Sequence, residues 1–143
     1  MINLNYSTLI CLPIKQVFEF ITTPLNDTQW QYGTLATHQA AAGFMSAGSF
    51  FSTFGHFLGR RIQSNYEITQ FEANRKYGFR SVSGPVEIRT SYTFEAAEHC
   101  TRLDVSTQMI QHGFFKISDA LVARFAKKQF KENMATLKSL LEA

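Results

Sequence analysis

The stretch Val86-Glu87-Ile88-Arg89-Thr90-Ser91-Tyr92-Thr93-Phe94-Glu95 decides the fold class. Val86, Ile88, Thr90, Tyr92 and Phe94 alternate with Glu87, Arg89, Ser91, Thr93 and Glu95. Successive side chains of a strand point to opposite faces, so this pattern is a strand with one face in a core and one in water. Ser83-Gly84-Pro85 sets a turn in front of it. Upstream, Tyr77, Phe79 and Ser81 form a preceding strand, and Ile62, Ser64, Tyr66 and Ile68 alternate with Arg61, Gln63, Asn65 and Glu67. Downstream, Leu103, Val105, Thr107 and Met109 alternate with Arg102, Asp104, Ser106 and Gln108. The connections are short, which predicts hairpins and an antiparallel meander.

After Gly113 the period changes to that of a helix. Ser118 or a nearby residue is placed to cap it, and the pattern runs to about Leu141, so ~24 residues give roughly 36 Å of helix. At 100° per residue, Arg124, Lys127, Lys128, Lys131 and Lys138 share one sector, while Val122, Phe125, Ala126, Phe130, Leu137 and Leu140 share the opposite one. The N-terminal region adds a strand over Leu4 to Cys11, with Leu4, Tyr6, Thr8 and Ile10 on one side. Leu12-Pro13 opens a helix carrying Ile14, Val17, Phe18 and Ile21. Thr22-Thr23-Pro24 ends it; Thr23 is placed to cap a second, shorter helix that ends near Trp30.

The chain has 143 residues, 45% hydrophobic and 17% charged, which predicts one ordinary globular domain over residues 1–143. The net charge of +3 is too small for a nucleic-acid-binding surface. No apolar run approaches the roughly 20 residues that span a bilayer, and no signal peptide is visible at the start. The only two cysteines, Cys11 and Cys100, argue against a disulfide scaffold or a cysteine-based zinc site; they fit a reducing compartment and a cytoplasmic location.

Two short helices, a multi-strand antiparallel sheet and a long terminal helix make an α+β chain. A curved sheet with one apolar face needs cover, and only the last helix is long enough to supply it. This order resembles the START-like helix-grip superfamily, in which a curved antiparallel sheet wraps around a long C-terminal helix and two short helices follow the first strand. More narrowly, it resembles the bacterial polyketide cyclase/dehydrase and lipid transport group, the SRPBCC proteins. The residues carrying the likeness are Pro13-x-x-x-Val17-Phe18, Asn26 to Trp30, Gly48-Ser-Phe50, Gly59-Arg60-Arg61, and Tyr66 to Glu72. Further along they are Ser83-Gly84-Pro85, Tyr92-x-Phe94-Glu95, Thr101-Arg102-Leu103 and Leu137-Lys138-x-Leu140-Leu141-Glu142. The resemblance implies a cavity between the long helix and the concave face of the sheet, where members hold sterols, lipids, quinones, polyketides or plant hormones. The same fold hosts carriers and enzymes, so the likeness names the place of a site and not its chemistry.

Thr28 to Gly59 contains no Asp, Glu, Lys or Arg, and holds Phe44, Phe50, Phe51, Phe54 and Phe57. As structure, it is two sheet strands and a packed apolar loop. As function, it is a ligand portal and cavity wall, a dimer contact, or a patch that touches membrane during ligand exchange; the first of these three is favoured. In a strand from Ser49 to Leu58, alternation assigns Phe50, Phe54 and His56 to the core and Phe51 and Phe57 to the outside. Gln129 and Asn133 lie in the apolar sector of the long helix, four residues apart, and buried amides need partners. Tyr66 and Tyr92 each bring an apolar body with one hydrogen-bonding tip, suited to an apolar pocket with few polar groups.

The expected ligand-binding set is therefore Phe50, Phe54, His56, Tyr66, Tyr92, Val122, Gln129 and Asn133. His56 is also the candidate proton-transfer residue. Glu67, Glu87, Glu95 and Asp104 occupy exposed positions of the alternation, so a paired-carboxylate site is not expected. No histidine spacing suits a metal, and no cofactor is expected. The expected function is binding, or transport, of a hydrophobic small molecule by a monomer or homodimer with at most transient membrane contact. The alternatives are a cyclase or dehydratase using the same pocket, and an interaction module whose core is filled.

Overall fold

The computed structural model describes residues 1–40 and 45–143; Phe44 lies outside the described residues. Seven strands form one antiparallel sheet: β1 (Ile2–Ile10), β2 (Thr34–Gln39), β3 (Phe50–Phe57), β4 (Arg60–Glu72), β5 (Lys76–Ser83), β6 (Glu87–Ala97) and β7 (Cys100–Ile110). Their order across the sheet is β1-β7-β6-β5-β4-β3-β2. Helix α1 (Ile14–Ile21) and a 3₁₀ helix (Pro24–Gln29) connect β1 to β2, and α2 (Asp119–Glu142) closes the chain. This is the helix-grip arrangement of the α+β class.

The alternation of residues 86–95 maps onto β6 as expected. Thr90, Tyr92 and Phe94 are buried and Glu87, Arg89, Thr93 and Glu95 are exposed. β6 pairs with β7 along its whole length, from Glu87 opposite Ile110 to Ala97 opposite Cys100. Register breaks between Asn65 and Tyr66 and between Ile68 and Gln70 on β4 bend the sheet, as local bulges do. Its concave side then faces α2, whose Val122, Ala126, Met134 and Leu137 are buried. Ser118 caps α2 by accepting from the Leu121 amide at 3.2 Å. Thr23 does not cap the 3₁₀ helix; its hydroxyl donates back to the Glu19 carbonyl at 2.7 Å.

Three expectations need correction. In β3 the register is the opposite of the expected one: Phe50 is 46% exposed and Phe51 is 3% exposed. A strand with aromatic residues on both faces gives alternation no handle, and a one-residue slip exchanges the faces. Phe51 stacks on Tyr66 at 5.2 Å between ring centroids, and Phe57 meets Phe115 at 5.4 Å. On α2, Phe125 and Leu140 are exposed although the wheel places them on the buried side; the helix contacts the sheet along a narrower stripe than the wheel's apolar sector.

The cysteines are the third correction. Cys11 and Cys100 are joined as a disulfide. The 89 positions between them vanish in space because β1 and β7 are paired antiparallel, with Ile10 opposite Thr101, which brings the next residues of both strands together. The end of α2 is tied in at the same place. The Cys11 amide donates to Glu142 at 2.8 Å, Lys138 lies 2.9 Å from Glu142, and the Lys138 ammonium also donates to the Leu9 carbonyl. Among the described residues no helix is long and apolar enough to cross a membrane.

Candidate functional site: a cavity beneath the long helix

The concave face of the sheet and the inner face of α2 do not close completely. Two lobes remain between them, of about 210 and 170 Å³. They share Gln31, Tyr66, Phe79, Ile88 and Asn133, so they form one divided space. β4, β5 and β6 supply the shared floor and α2 the shared roof.

Two glycines build the mouth of the first lobe. The His56 amide donates to the Gly33 carbonyl at 2.8 Å, so the loop after the 3₁₀ helix runs directly over β3. A Cβ on Gly55 would sit 2.0 Å from the Gly33 oxygen, and one on Gly33 would sit 2.6 Å from the His56 oxygen and 2.9 Å from the Gln129 amide nitrogen. No side chain fits at either position without moving backbone. The Asn133 side-chain oxygen accepts from the Tyr32 amide at 3.1 Å, which pins this loop to α2. Tyr32, 76% exposed, turns its ring edge-on to the His56 ring at 5.9 Å.

The walls are aromatic and the polar groups are few. Thr90 and Thr107 satisfy each other across β6 and β7 at 3.1 Å in the second lobe. Trp30 lines the same lobe, and its buried indole N–H has no hydrogen-bond partner among the described residues. Burial pushes the Tyr66 phenol above its ordinary range; the neighbouring Ser64 and Thr53 hydroxyls draw it part of the way back, and Asp27 raises it further. Tyr92 and Tyr77 are likewise pushed up, first by burial and then by the field of Asp27. All three phenols are therefore neutral hydroxyls.

Asp27 itself lines the first lobe and is buried. Burial holds its carboxyl well above the usual carboxylate range, because a charge removed from water without a partner is costly. The sequence does not single it out. In Pro-Leu-Asn-Asp-Thr-Gln an acidic residue reads as a helix-start or solvated group, and only the 3₁₀ turn, packed beside β2, carries it inward. Its position inside the cavity is visible only once the fold is built.

Of the expected set, Tyr66, Gln129, Asn133 and His56 meet at the first lobe, and Tyr66, Tyr92 and Asn133 at the second. Phe50 and Phe54 line neither lobe; Phe51, assigned outward from the sequence, takes the place on the wall. Val122 is fully buried in a satellite cluster with Phe115 and Ala126 and also lines neither lobe.

A curved sheet gripping a long helix over a divided internal cavity defines a protein of the START-like class. The chain belongs to the polyketide cyclase/dehydrase and lipid transport family, whose pattern it matches over residues 1–142. A START superfamily protein from Mycobacterium smegmatis superimposes with a TM-score of 0.80 at 10% identity, covering 98% of this chain and 97% of its own. A protein from Thermus thermophilus gives 0.79 at 12% identity, covering 97% and 96%. DynU16, a putative protein in the dynemicin biosynthetic locus, gives 0.68 at 23% identity over 99% of this chain and 47% of its own. These likenesses speak to the fold. No curated protein matches the chain by sequence.

Proposed function

We propose that this protein binds an apolar small molecule in the divided cavity between the sheet and α2. The observation that supports this reading most is the contrast within that space. It is walled by Phe51, Phe79, Ile88 and Phe130, yet it holds the buried Asp27 carboxyl and borders the Trp30 indole N–H, which has no protein partner among the described residues. A filled structural core does not retain such groups without compensation; a ligand site uses a few of them to orient a mostly apolar guest. Apolar burial at about 25 cal/mol per Å² supplies the affinity and the polar groups supply the orientation.

One observation favours an enzymatic use of the same space. Asp27 lines the first lobe, so a carboxyl able to give a proton borders the space a guest would fill, as dehydration of a polyketide-like chain requires. Native mass spectrometry of the freshly purified protein, followed by extraction and identification of any retained mass, tests the binding reading. A discrete apolar molecule at one per chain supports it. A bare chain mass with no uptake of a neutral apolar probe overturns it and turns attention to protein partners.

A further inference from the structure

Several acidic side chains elsewhere in the molecule have partners. Glu67 lies 3.0 Å from Arg80, Glu142 lies 2.9 Å from Lys138, and Asp104 is held by Ser7 and Arg102. Asp27 differs from these: it is buried on the wall of the first lobe, and among the described residues no hydrogen bond or ion pair reaches its carboxyl. The group therefore belongs to the cavity and to no structural network.

A neutral carboxyl group donates one O–H, and an indole only donates. The Trp30 Nε1 proton has no partner among the described residues. The Asn133 side-chain oxygen is occupied by the Tyr32 amide, which leaves its amide protons for the cavity. Neither lobe is lined by a lysine or an arginine. A carboxylate guest would find no lysine or arginine to pair with. An ammonium guest would need the carboxyl charged, and burial without a partner disfavours that form. An uncharged guest with acceptor oxygens satisfies both conditions.

We propose that Asp27 is the specificity-determining residue of this cavity, a carboxyl group that donates its proton in a hydrogen bond to the carbonyl oxygen of an uncharged, keto-bearing apolar ligand. This rests on the reading that the cavity takes up an apolar guest, and it adds which guests are preferred and which residue selects them. No bond is made or broken in the step. Burial without a partner favours the neutral, donating form of the carboxyl, and Asn133 lines the same lobe.

A matched series of naphthalenes tests the proposal: 2-acetonaphthone (ketone), 2-ethylnaphthalene (similar shape, no oxygen), 2-naphthoate (carboxylate) and 2-naphthylmethylamine (cation). Dissociation constants are measured by calorimetry for the wild type, Asp27→Leu and Asp27→Asn. The readout is the ratio between ketone and hydrocarbon within one protein, so a general loss of affinity cancels. The wild type is expected to prefer the ketone about tenfold, the contribution of one hydrogen bond to an otherwise unsatisfied donor. That preference is expected to fall to within about twofold in Asp27→Leu and to survive in Asp27→Asn, whose amide still donates. A preference unchanged in Asp27→Leu, or tighter binding of the carboxylate or the amine than of the ketone, overturns the proposal. If Asp27→Leu does not fold, the ranking in the wild type and Asp27→Asn still decides. Equal binding of ketone and hydrocarbon defeats this proposal alone; binding of none of the four defeats the cavity reading as well.

Discussion

Two openings in the molecule invite comparison. The groove beside α1 is lined by Lys15, Phe18, Glu19, Met45, Phe71 and Asn74 among others, and encloses about 710 Å³. The lobes beneath α2 enclose about 210 and 170 Å³. Volume alone would choose the groove. Yet polar groups of the groove are already bonded within the protein: Thr22 donates to the Phe18 carbonyl at 2.8 Å, Thr23 to the Glu19 carbonyl at 2.7 Å, and the Gln39 amide lies 3.2 Å from the Met45 sulfur. Lys15 and Glu19 are exposed to water. Beneath α2 the situation is reversed, with a smaller space and polar groups left without partners. A site is marked by unused hydrogen-bonding capacity inside apolar walls, and space is only a precondition.

The strongest way to break this contrast is to fill each opening in turn. Ile88 borders both lobes, so Ile88→Trp is expected to weaken binding of the neutral probe N-phenyl-1-naphthylamine by about 100-fold or more, equivalent to about 2.7 kcal/mol. Ala73→Trp, placed in the groove, is expected to leave the affinity within about twofold, since the probe does not sit there. Equal effects of the two substitutions in a fluorescence titration would erase the distinction.

The disulfide offers a second separation. It fastens β1 and β7 at the end of the sheet where α1 begins. Reduction is expected to lower stability in urea by about 2–4 kcal/mol, with probe affinity kept within about twofold. A large loss of affinity on reduction would mean that the ends of the sheet and the cavity are coupled.

A smaller effect sharpens the picture inside the cavity. Thr90→Val removes one half of the Thr90–Thr107 pair and leaves the Thr107 hydroxyl buried and unpaired, at a cost of about 1 kcal/mol in denaturant unfolding. An unchanged unfolding free energy would show that a guest or water already serves these hydroxyls.

The pH dependence of stability carries a sign that isolates Asp27. Its pKa is higher in the folded state than in the unfolded chain, so its neutral form is favoured by folding. The contribution is present in full below the unfolded value, about pH 4, and is lost as pH rises through the folded value. Asp27→Asn is therefore expected to unfold at a higher temperature than the wild type at about pH 7 to 8, with the gap closing towards about pH 4. A gap of the opposite sign would show that the carboxylate is stabilised where it lies.

The parts of the fold that are legible in the sequence are those where one face is apolar and the other polar. β4, β6 and β7 alternate cleanly, and α2 changes period after Gly113, so their order alone leads to a sheet wrapped on a terminal helix. β3 is not legible in register because Phe50, Phe51, Phe54 and Phe57 occupy both faces, and pattern carries no sign there. The site divides along the same line. Tyr66, Tyr92, Gln129 and Asn133 are polar residues embedded in apolar faces; that mismatch marks them as candidates, and they line the cavity. Asp27 lies in a short polar turn with no periodicity to violate, and Trp30 reads as an ordinary core residue. Both become visible only when the 3₁₀ turn is seen beside the cavity.

A crystal structure of the protein grown with 2-acetonaphthone is the most direct test of the cavity and of Asp27 together. Electron density for the ring system is expected between α2 and the strand floor, against Phe79 and Ile88, with the ketone oxygen in hydrogen-bonding distance of the Asp27 carboxyl. Density confined to the groove beside Phe71, or a cavity refilled by its own side chains, would contradict both.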